Sequence, residues 1–277
     1  FKNQEKFHAW SCFMRIAMGI EYDGSQFHGW QSQCEGIRTI QREVEFALSK
    51  VANHPISVIC AGRTDALVHG MGQVIHFDTT SKRTKRNWLM GGNAYLPNDV
   101  NIIWVSFVNN DFHARFSAIS RKYQYLILNK KTRSSLMCNR ATWIHQDLEI
   151  NLMQDAAKKI EGEHDFSSYR ASGCQAKSPI RKMHSIKIKK RNNFVILQFH
   201  ANAFLQHMVR NITGVLIEIG KKEKQVGWAR EVLEYHERAR GGITASPEGL
   251  YFEHVEYPPE HDLPCGHGDF PFSLDDW

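Results

Sequence analysis

A loop rich in glycine places an arginine and a carboxylate between two apolar segments of this chain. The segment ISVIC at 56–60 precedes the loop and QVIHF at 73–77 follows it, and both are typical of buried strands. The loop, predicted over residues 61–72, carries Arg63 and Asp65, and its glycines let a ligand approach the backbone closely. An exposed ion pair would stabilise such a loop by only about 0–1 kcal/mol. The two charges therefore either pin the loop or serve a functional site.

Another charged residue, Arg210, lies in the segment LQHMVRNITGVLIEIG. This segment is predicted to form a helix over 205–220 that ends at Gly220. Arg210 points away from the main apolar stripe, yet the segment is too apolar for a surface helix. A buried arginine needs an anionic partner, because an uncompensated buried charge costs about 3–5 kcal/mol. Asp65 is the candidate partner, and simple exposure of Arg210 to solvent is the alternative.

The segment DFHARFSAISRKYQY at 111–125 mixes aromatic and basic side chains. This mixture is typical of sites for single-stranded RNA, where aromatic faces stack on bases and arginines contact phosphates. The alternative interpretation is a strand with tyrosines in the core, because Tyr123 and Tyr125 share one face of a strand.

Helices and strands recur in both halves of the sequence and must hold these side chains in place. Hairpin-like pairs of strands favour mixed or antiparallel sheets with helices packed on one face, which is an α+β fold. Thr39 is the candidate N-cap of the first helix. The predicted helices cover 40–52, 151–161, 205–220 and 226–241, and the predicted strands outside the loop region cover 14–22, 100–108, 122–128, 185–190, 194–201 and 250–257.

The composition favours a globular protein with an anionic partner. The chain has 277 residues, a net charge of +6 and an isoelectric point near 9.0. Each basic run alone is typical of a solvated face, but several runs together favour nucleic acid as the partner. These runs lie at 82–86, 121–122, 130–133, 187–191 and 221–224.

The cysteines and the longest apolar run near the start indicate the cellular compartment of the protein. The 6 cysteines form no C-x-x-C pair, which favours reduced thiols in the cytoplasm over a zinc site or a disulfide framework. The apolar run FMRIAMGI at 13–20 is interrupted by Arg15 and is too short for a membrane helix. The sequence therefore predicts a cytoplasmic protein without a membrane segment.

Six segments of the chain together carry a family signature. The loop sequence AGRTDALVHGMGQVIHF at 61–77 resembles the catalytic motif of the tRNA pseudouridine(38-40) synthase family. Further motifs match the family in order, and the resemblance covers about residues 13 to 257. These motifs are GIEYDGSQFHGWQ at 19–31, NAYLPNDV at 93–100, DFHARFSAISRKYQY at 111–125, NAFLQHMVRNITGVLIEIG at 202–220 and PEGLY at 247–251.

The resemblance implies a fold and an assembly. The fold is the pseudouridine synthase fold, an α+β arrangement of two sheet-plus-helix halves, each ferredoxin-like or RRM-like, with the active-site cleft between them. The expected domains are an N-terminal α+β domain over 10–110, a C-terminal α+β domain over 111–257 and an irregular tail over 258–277. The family also implies a homodimer that binds tRNA.

The resemblance further implies the reaction, which isomerises uridine to pseudouridine at positions 38–40 in the anticodon stem-loop of tRNA. No metal and no organic cofactor are implied, because the isomerisation involves no redox change and no energy input. The carboxylate is Asp65, expected as the nucleophile on the nucleoside, with a role as base on the ribose left open. Arg210 is its expected ion-pair partner, which keeps the carboxylate ionised.

The same resemblance assigns the substrate contacts. Tyr123 matches the active-site tyrosine and is expected to stack on the flipped uracil, a contact worth about 1–3 kcal/mol, and its hydroxyl to assist proton transfer at C5. Arg63 is expected to fill the gap left by the flipped base. The expected RNA-binding residues are Arg63, Arg83, Phe112, His113, Ala114, Arg115, Phe116, Lys131 and Lys177.

One departure from the family and three alternatives remain open. The family usually has glycine where this chain has Leu67, and a positive φ there would strain leucine by about 1–3 kcal/mol. The first alternative is an inert RNA-binding protein on the same fold. The second is a metal-dependent hydrolase that uses Asp65, His69 and His76, and the third is a nucleophilic Cys60 in place of the carboxylate.

Overall fold

The structure is a computed structural model, and it describes residues 13–264. Within that range the chain forms ten strands and five α-helices. The strands are β1 (Met14–Tyr22), β2 (Ile59–Cys60), β3 (His69–Thr79), β4 (Val100–Val108), β5 (Ser120–Asn129), β6 (Thr142–Ile144), β7 (Gly162–Asp165), β8 (Ile180–Arg191), β9 (Phe194–Ala201) and β10 (Leu250–Glu256). The helices are α1 (Ile40–Ala52), α2 (Lys85–Tyr95), α3 (Ile150–Lys158), α4 (Met208–Gly220) and α5 (Trp228–Tyr235).

All ten strands join one mixed sheet, in the order β4-β1-β3-β10-β5-β9-β8-β7, with β2 paired to β3 and β6 paired to β5. Strand β10 joins the two halves of the sequence. It pairs in parallel with β3, with Tyr251 opposite His69, and antiparallel with β5, with Phe252 opposite Tyr123. The loop that carries Asp65 and the strand that carries Tyr123 are therefore held side by side through β10.

The helices cover opposite faces of this sheet. Val74 on β3 packs in the core with α3, α4 and α5, whereas its neighbour Ile75 packs in the core with α1 and α2. Adjacent residues of a strand point to opposite faces, so the two groups of helices lie on different sides. The expectation of helices on one face was wrong, because each half brings its own helices to its own side.

Helix α1 begins as predicted, but Thr39 does not cap it with its side chain. Thr39 occupies the N-cap position, and its buried hydroxyl has no hydrogen-bond partner. The first amides of the helix are satisfied by backbone carbonyls instead, since Ile40 N donates to Gly29 O at 3.2 Å and Gln41 N to Trp30 O at 3.0 Å. The helix start is thereby tied to the segment that packs on the Asp65 loop.

Several boundaries differ from the sequence-based expectations. Helix α2 was not predicted, because its adjacent glycines Gly91 and Gly92 disfavour a helix and its start lies in a basic run. A capping box between Thr84 and Asn87 begins it. Strand β3 begins at His69, four residues earlier than predicted, and α5 ends at Tyr235 because His236 adopts the left-handed conformation.

The predicted domain boundaries at 110 and 257 stay a prediction. Residues 258–264 have only a short 3₁₀ turn, Pro259–His261, while residues 10–12 and 265–277, with Cys12 and Cys265, lie outside the described residues. Among residues 13–264, each helix is too short or too polar to cross a membrane.

Candidate active site

A cleft of about 1260 Å³ lies where the two halves of the sequence meet. Its walls are residues 58–68, 173–176 and 203–210, together with side chains from β5 and β10. Asp65 reaches the cleft from the loop between β2 and β3, Tyr123 from β5 and Arg210 from α4. The structure therefore brings together the three residues expected to be catalytic.

The loop that presents Asp65 is short and tied on both sides. It covers residues 61–68 rather than 61–72, because His69 already belongs to β3. Thr64 O accepts from Trp30 N at 3.0 Å, and its hydroxyl contacts Tyr22 Oη at 2.9 Å. Gln73 Nε2 donates to Gly62 O at 2.6 Å from the following strand. The loop is therefore a fixed platform whose backbone hydrogen bonds hold Asp65 towards the cleft.

Asp65 forms the predicted ion pair with Arg210. Arg210 Nη1 lies 3.3 Å from Asp65 Oδ2, and the two side chains are 14% and 28% exposed. Arg210 Nε also donates to Ala245 O at 2.9 Å, which fixes the direction of the guanidinium. The alternative of a solvent-exposed Arg210 is excluded by this geometry, because the guanidinium is mostly buried and directed at the carboxylate.

His207 is a third member of this cluster, and the sequence interpretation did not include it. His207 Nε2 lies 3.3 Å from the same oxygen, Asp65 Oδ2. The residue precedes α4 as its N-cap and has a positive φ of +61°. The signal in the sequence was the spacing Q-H-M-V-R, because residues three apart share one face of a helix.

Tyr123 lies beneath the cleft with its ring held by aromatic neighbours. Its ring packs edge-on against Phe204 and Phe252, with centroid distances of 5.0 and 4.8 Å. Burial raises the pKa of the Tyr123 hydroxyl well above its usual value, so the group stays protonated at neutral pH. Tyr125 instead lies fully in the core and donates to Ser246 O at 2.6 Å.

Gly29 allows the Asp65 loop to pack closely on the segment before α1. Its φ is +92°, and a Cβ at this position would lie 2.8 Å from Thr64 O and 3.1 Å from Ala66 N. Contacts this short to backbone atoms require the loop itself to move. Gly29 is thus a positioning residue for Asp65, which the sequence interpretation did not identify.

We expect Gly29→Ala to lower the turnover rate about 100-fold, because a shift of about 1 Å in a catalytic group has an effect of this size. Gly36→Ala is the matched control, since Gly36 has a similar φ of +88° and open space around its Cβ. The control carries the same backbone strain without the collision, so it should keep parental activity. Equal losses in both variants would show that strain, and not displacement of the loop, is the cause.

Leu67 has the positive φ that its departure from the family suggested. Its φ is +66°, and its amide donates to Phe27 O at 3.2 Å. Leucine in this region is strained by roughly 1–2 kcal/mol relative to glycine. The side chain is half-buried, so part of this cost is offset by the apolar surface that it covers.

We expect Leu67→Gly to change the free energy of unfolding by less than about 1 kcal/mol, because relief of strain is offset by lost burial and by the greater entropy of the unfolded chain. Leu67→Val should be clearly destabilising, since a β-branched residue is disfavoured at positive φ. Denaturant unfolding of both variants checks this order. A large stabilisation by glycine would show that leucine contributes nothing at this position.

The structure also shows the surroundings of the residues proposed for the metal-dependent hydrolase and for the cysteine nucleophile. His69 on β3 stacks on Tyr251 and uses both ring nitrogens, with Gly24 N at 3.0 Å and Asn139 O at 2.8 Å. Burial raises the pKa of the Cys60 thiol to about 12, so it stays protonated and is a poor nucleophile. Among residues 13–264 there is no group of three or more histidine, cysteine or acidic residues able to hold a metal ion.

His76 is a buried neutral histidine, with 2% of the residue exposed. Its Nδ1 accepts from Ala114 N at 3.1 Å. Burial, followed by the nearby His113 ring and the positive charge of Arg15, lowers the pKa of His76 to about 4. An unfolded histidine titrates near 6.5, so protonation favours the unfolded state between these two values.

We expect the free energy of unfolding to fall by roughly 2–3 kcal/mol through His76 as the pH decreases from about 6.5 to 4, and to be unaffected by it above that window. His76→Asn keeps an acceptor for Ala114 N but does not titrate. Urea unfolding of both proteins at a series of pH values should therefore show a flatter acid slope for the variant. Parallel slopes would contradict the assignment.

The expected RNA-binding residues fall into three groups. Arg63 and Arg115 are exposed and line the cleft, and Phe116 is 75% exposed beside Arg115. Phe112 and Ala114 are fully buried, so their side chains hold the segment in place and do not form part of the surface, which corrects that expectation. Of the remaining four, His113 orders its own segment, because its Nδ1 accepts from the amides of Arg115 and Phe116. Lys177 lies next to the wall 173–176. Arg83 and Lys131 lie outside the described lining of the cleft.

Arg121 fixes the cleft wall from beneath, and the sequence interpretation gave it no role. The buried guanidinium donates to three separate segments, through Asn202 O at 2.9 Å, Arg115 O at 2.5 Å and Ala61 O at 3.5 Å. Burial lowers the pKa of Arg121 from its ordinary value. The residue thereby ties the start of the Asp65 loop to the segments that carry Arg115 and Asn202.

Comparison with known proteins finds similar sequences and one weakly similar structure. A sequence profile described as tRNA pseudouridine synthase matches residues 18–117 and 156–258. The tRNA pseudouridine synthase A of Pseudoalteromonas atlantica is 53% identical over 251 residues, 91% of this chain and 95% of that protein. The protein of the same name from Nitrosococcus oceani is 54% identical over 91% of this chain and 96% of its own length. A crystal structure of the archaeal box H/ACA sRNP Nop10-Cbf5 complex aligns over 89% of this chain and 50% of that chain, at 10% identity and a TM-score of 0.34.

The profile and the relatives define an RNA-modifying isomerase of α+β fold. The chain belongs to the tRNA pseudouridine synthase family. The family resemblance, the fold class and the assignment as an isomerase are therefore confirmed. Family membership also makes tRNA the substrate class.

Proposed function

We propose that this enzyme converts uridine to pseudouridine at positions 38–40 in the anticodon stem-loop of tRNA, with Asp65 as the nucleophile. The observation that supports this most directly is the carboxylate in the cleft, held on one oxygen by Arg210 at 3.3 Å. Its other oxygen, Oδ1, has no hydrogen bond within the described part of the chain. The carboxylate therefore has one anchored oxygen and one oxygen available to a substrate.

The chemistry requires one bond to break and one to form. Asp65 Oδ1 attacks C1′ of the ribose, and the N1–C1′ bond breaks with its electron pair leaving on the uracil ring. The ring turns, C5 attacks C1′, and the carboxylate leaves unchanged. The proton on C5 is lost and N1 gains a proton, so atoms and charge balance. A neighbouring cation favours the ionised carboxylate that this sequence of steps needs, and Arg210 supplies it.

Tyr123 serves as a stacking partner for the flipped base and, through its protonated hydroxyl, as a hydrogen-bond donor. Its raised pKa disfavours the phenolate, so it does not act as an ionised base at neutral pH. Arg63 is exposed at the cleft, where a guanidinium can occupy the gap in the RNA stack and contact its backbone. Both roles are consistent with the positions of these side chains.

The basic walls of the cleft fit the backbone of a folded RNA. Arg63 and Arg115 are exposed at the cleft, Arg181 lines it, and Lys177 is exposed next to the wall 173–176, while the buried Arg121 supports the cleft from beneath. Phosphate contacts of this kind position an RNA without reading its sequence. We extend the proposal to a homodimer on the family resemblance, and to the cytoplasm on the cysteine pattern of the sequence.

The test uses tRNA transcripts labelled with tritium at C5 of uridine, because C5 loses its hydrogen when it bonds to C1′. Three transcripts, each with a single uridine among positions 38, 39 and 40, should release tritium with the parent protein. A transcript with cytidine at all three positions should release none. Binding without release on every transcript would support the inert RNA-binding alternative, and release from the cytidine control would contradict the proposed positions.

A further inference from the structure

Two nitrogen atoms from the start of α4 converge on one oxygen of Asp65. Arg210 Nη1 and His207 Nε2 each lie 3.3 Å from Oδ2. Oδ1 has no such partner among residues 13–264. The Arg210 contact is a hydrogen bond, and a second hydrogen bond from the nearby His207 Nε2 would fix the rotation of the carboxylate and hence the direction of Oδ1.

We propose that His207 is a positioning residue, which donates its Nε2 proton to Asp65 Oδ2 and so turns Oδ1 towards the nucleotide. This inference rests on the proposed function for its catalytic consequence, and on the contact between the two side chains for its structural part. Arg210 supplies the positive charge beside Asp65. The contact with His207 defines the rotation of the carboxylate, which the ion pair alone does not define.

The backbone at His207 supports a role for its side chain. His207 has a φ of +61°, a conformation in which a residue other than glycine or asparagine is strained by about 1–2 kcal/mol. The conformation is held by the start of the helix, where Asn211 N donates to His207 O at 2.9 Å. Asparagine would suit this backbone better, but its side chain is too short to place an amide where Nε2 lies. Strain of this kind is common where a side chain has a functional task.

The surroundings of His207 favour the neutral form of the ring. Burial lowers its pKa, Asp65 opposes this effect, and the positive charges of Arg210 and Arg238 add to it. A neutral ring that contacts a carboxylate through Nε2 must carry its proton on Nε2. Such a ring orients Asp65 without placing a second full positive charge beside it, and a second charge would make the carboxylate a weaker nucleophile.

The experiment compares His207→Ala, His207→Gln and His207→Asn with the parent in single-turnover and steady-state assays on a modified tRNA transcript. We expect His207→Ala to lower kcat about 10- to 100-fold with KM within about threefold, the loss typical of one hydrogen bond to a charged group. Gln carries an amide nitrogen near the position of Nε2, so it should recover kcat to within about fivefold of the parent. Asn suits the backbone but not the contact, and it should resemble Ala.

The pH profile gives a readout that a purely structural role would not change. The parent should lose activity on the acid side as His207 gains a proton, whereas His207→Gln has no ring to protonate and should keep a flatter acid limb. A rise in KM at unchanged kcat, or a Gln variant as slow as Ala, would overturn the inference.

A second measurement does not depend on catalysis. Nitrogen-15 NMR of the parent at neutral pH should show a neutral His207 ring protonated at Nε2, with its resonance shifted in Asp65→Asn. A ring protonated at Nδ1 would refute the inference even if the enzyme is active. A parent that binds tRNA, shows the Nε2–H ring and forms no pseudouridine would instead contradict the proposed function and leave the positioning contact established.

Discussion

Asp65→Asn is expected to lower the rate of pseudouridine formation by about 10⁴-fold or more, while the dissociation constant for tRNA stays within about threefold. The amide has the shape of the carboxylate but cannot attack C1′, and loss of a nucleophile has effects of this size in other enzymes. Asp65 lies 3.3 Å from Arg210 and faces the cleft, so the substitution removes the reactive charge at the centre of the site. Tritium release and filter binding on one tRNA preparation measure the two quantities together.

Asp78→Asn is the matched control for this prediction. Asp78 also pairs with an arginine, since its carboxylate lies 2.7 Å from Arg15 Nε, but it lies outside the described lining of the cleft. The control therefore removes one negative charge and one ion pair without touching the proposed chemistry. Comparable losses in both variants would show that general destabilisation, and not loss of the nucleophile, explains the effect.

Arg210→Met is expected to lower the rate about 10²- to 10³-fold and to move the acid limb of the pH profile to higher pH. Removal of the cation breaks the 3.3 Å ion pair with Asp65 and takes away one of the positive charges that lower the pKa of His207, so that ring gains its proton at a higher pH. The loss should therefore shrink as the pH is raised. The measurement is a series of single-turnover rates between about pH 5 and 9, the range in which such a shift becomes visible.

Arg210→Lys separates the charge from the geometry. Lysine keeps a positive charge but lacks the planar group that reaches both Asp65 and Ala245 O. Its acid limb should lie close to that of the parent, while its plateau rate stays below it. A pH-independent loss in Arg210→Met would contradict the charge argument and leave Arg210 with a role in holding α4 alone.

The ion pair between Asp65 and Arg210 was predictable because it follows from energetics that depend on residue type. An arginine in a helix as apolar as 205–220 needs an anion, and the glycine-rich loop offered one. Eight of the ten described strands and four of the five described helices, all but β6, β7 and α2, were also predicted from local patterns. Their boundaries were less certain, since β2 covers only Ile59–Cys60 and β3 begins within the predicted loop.

The missed features depend on positions in space that periodicity does not report. The need for glycine at residue 29 arises from the backbone of Thr64, which no local pattern relates to it. His207 contacts Asp65 only because the turn before α4 adopts a left-handed conformation. Thr39 was expected to cap α1, but carbonyl groups from a distant loop already accept from the first amides. In each case a tertiary contact replaced the interaction that local sequence would favour.

The place of β10 between β3 and β5 has a consequence for synthesis. The chain leaves the ribosome from its N-terminus, so β10 is the last of the described strands to become available, although it lies in the middle of the sheet. Until residues 250–256 emerge, the Gly70 end of β3 and the Ser120 end of β5 lack the strand that joins them. Unpaired strand edges attract other chains. Asp65 and Tyr123 are thus translated early but are brought together late, so a nascent chain stalled before β10 carries the catalytic side chains without a cleft to hold them.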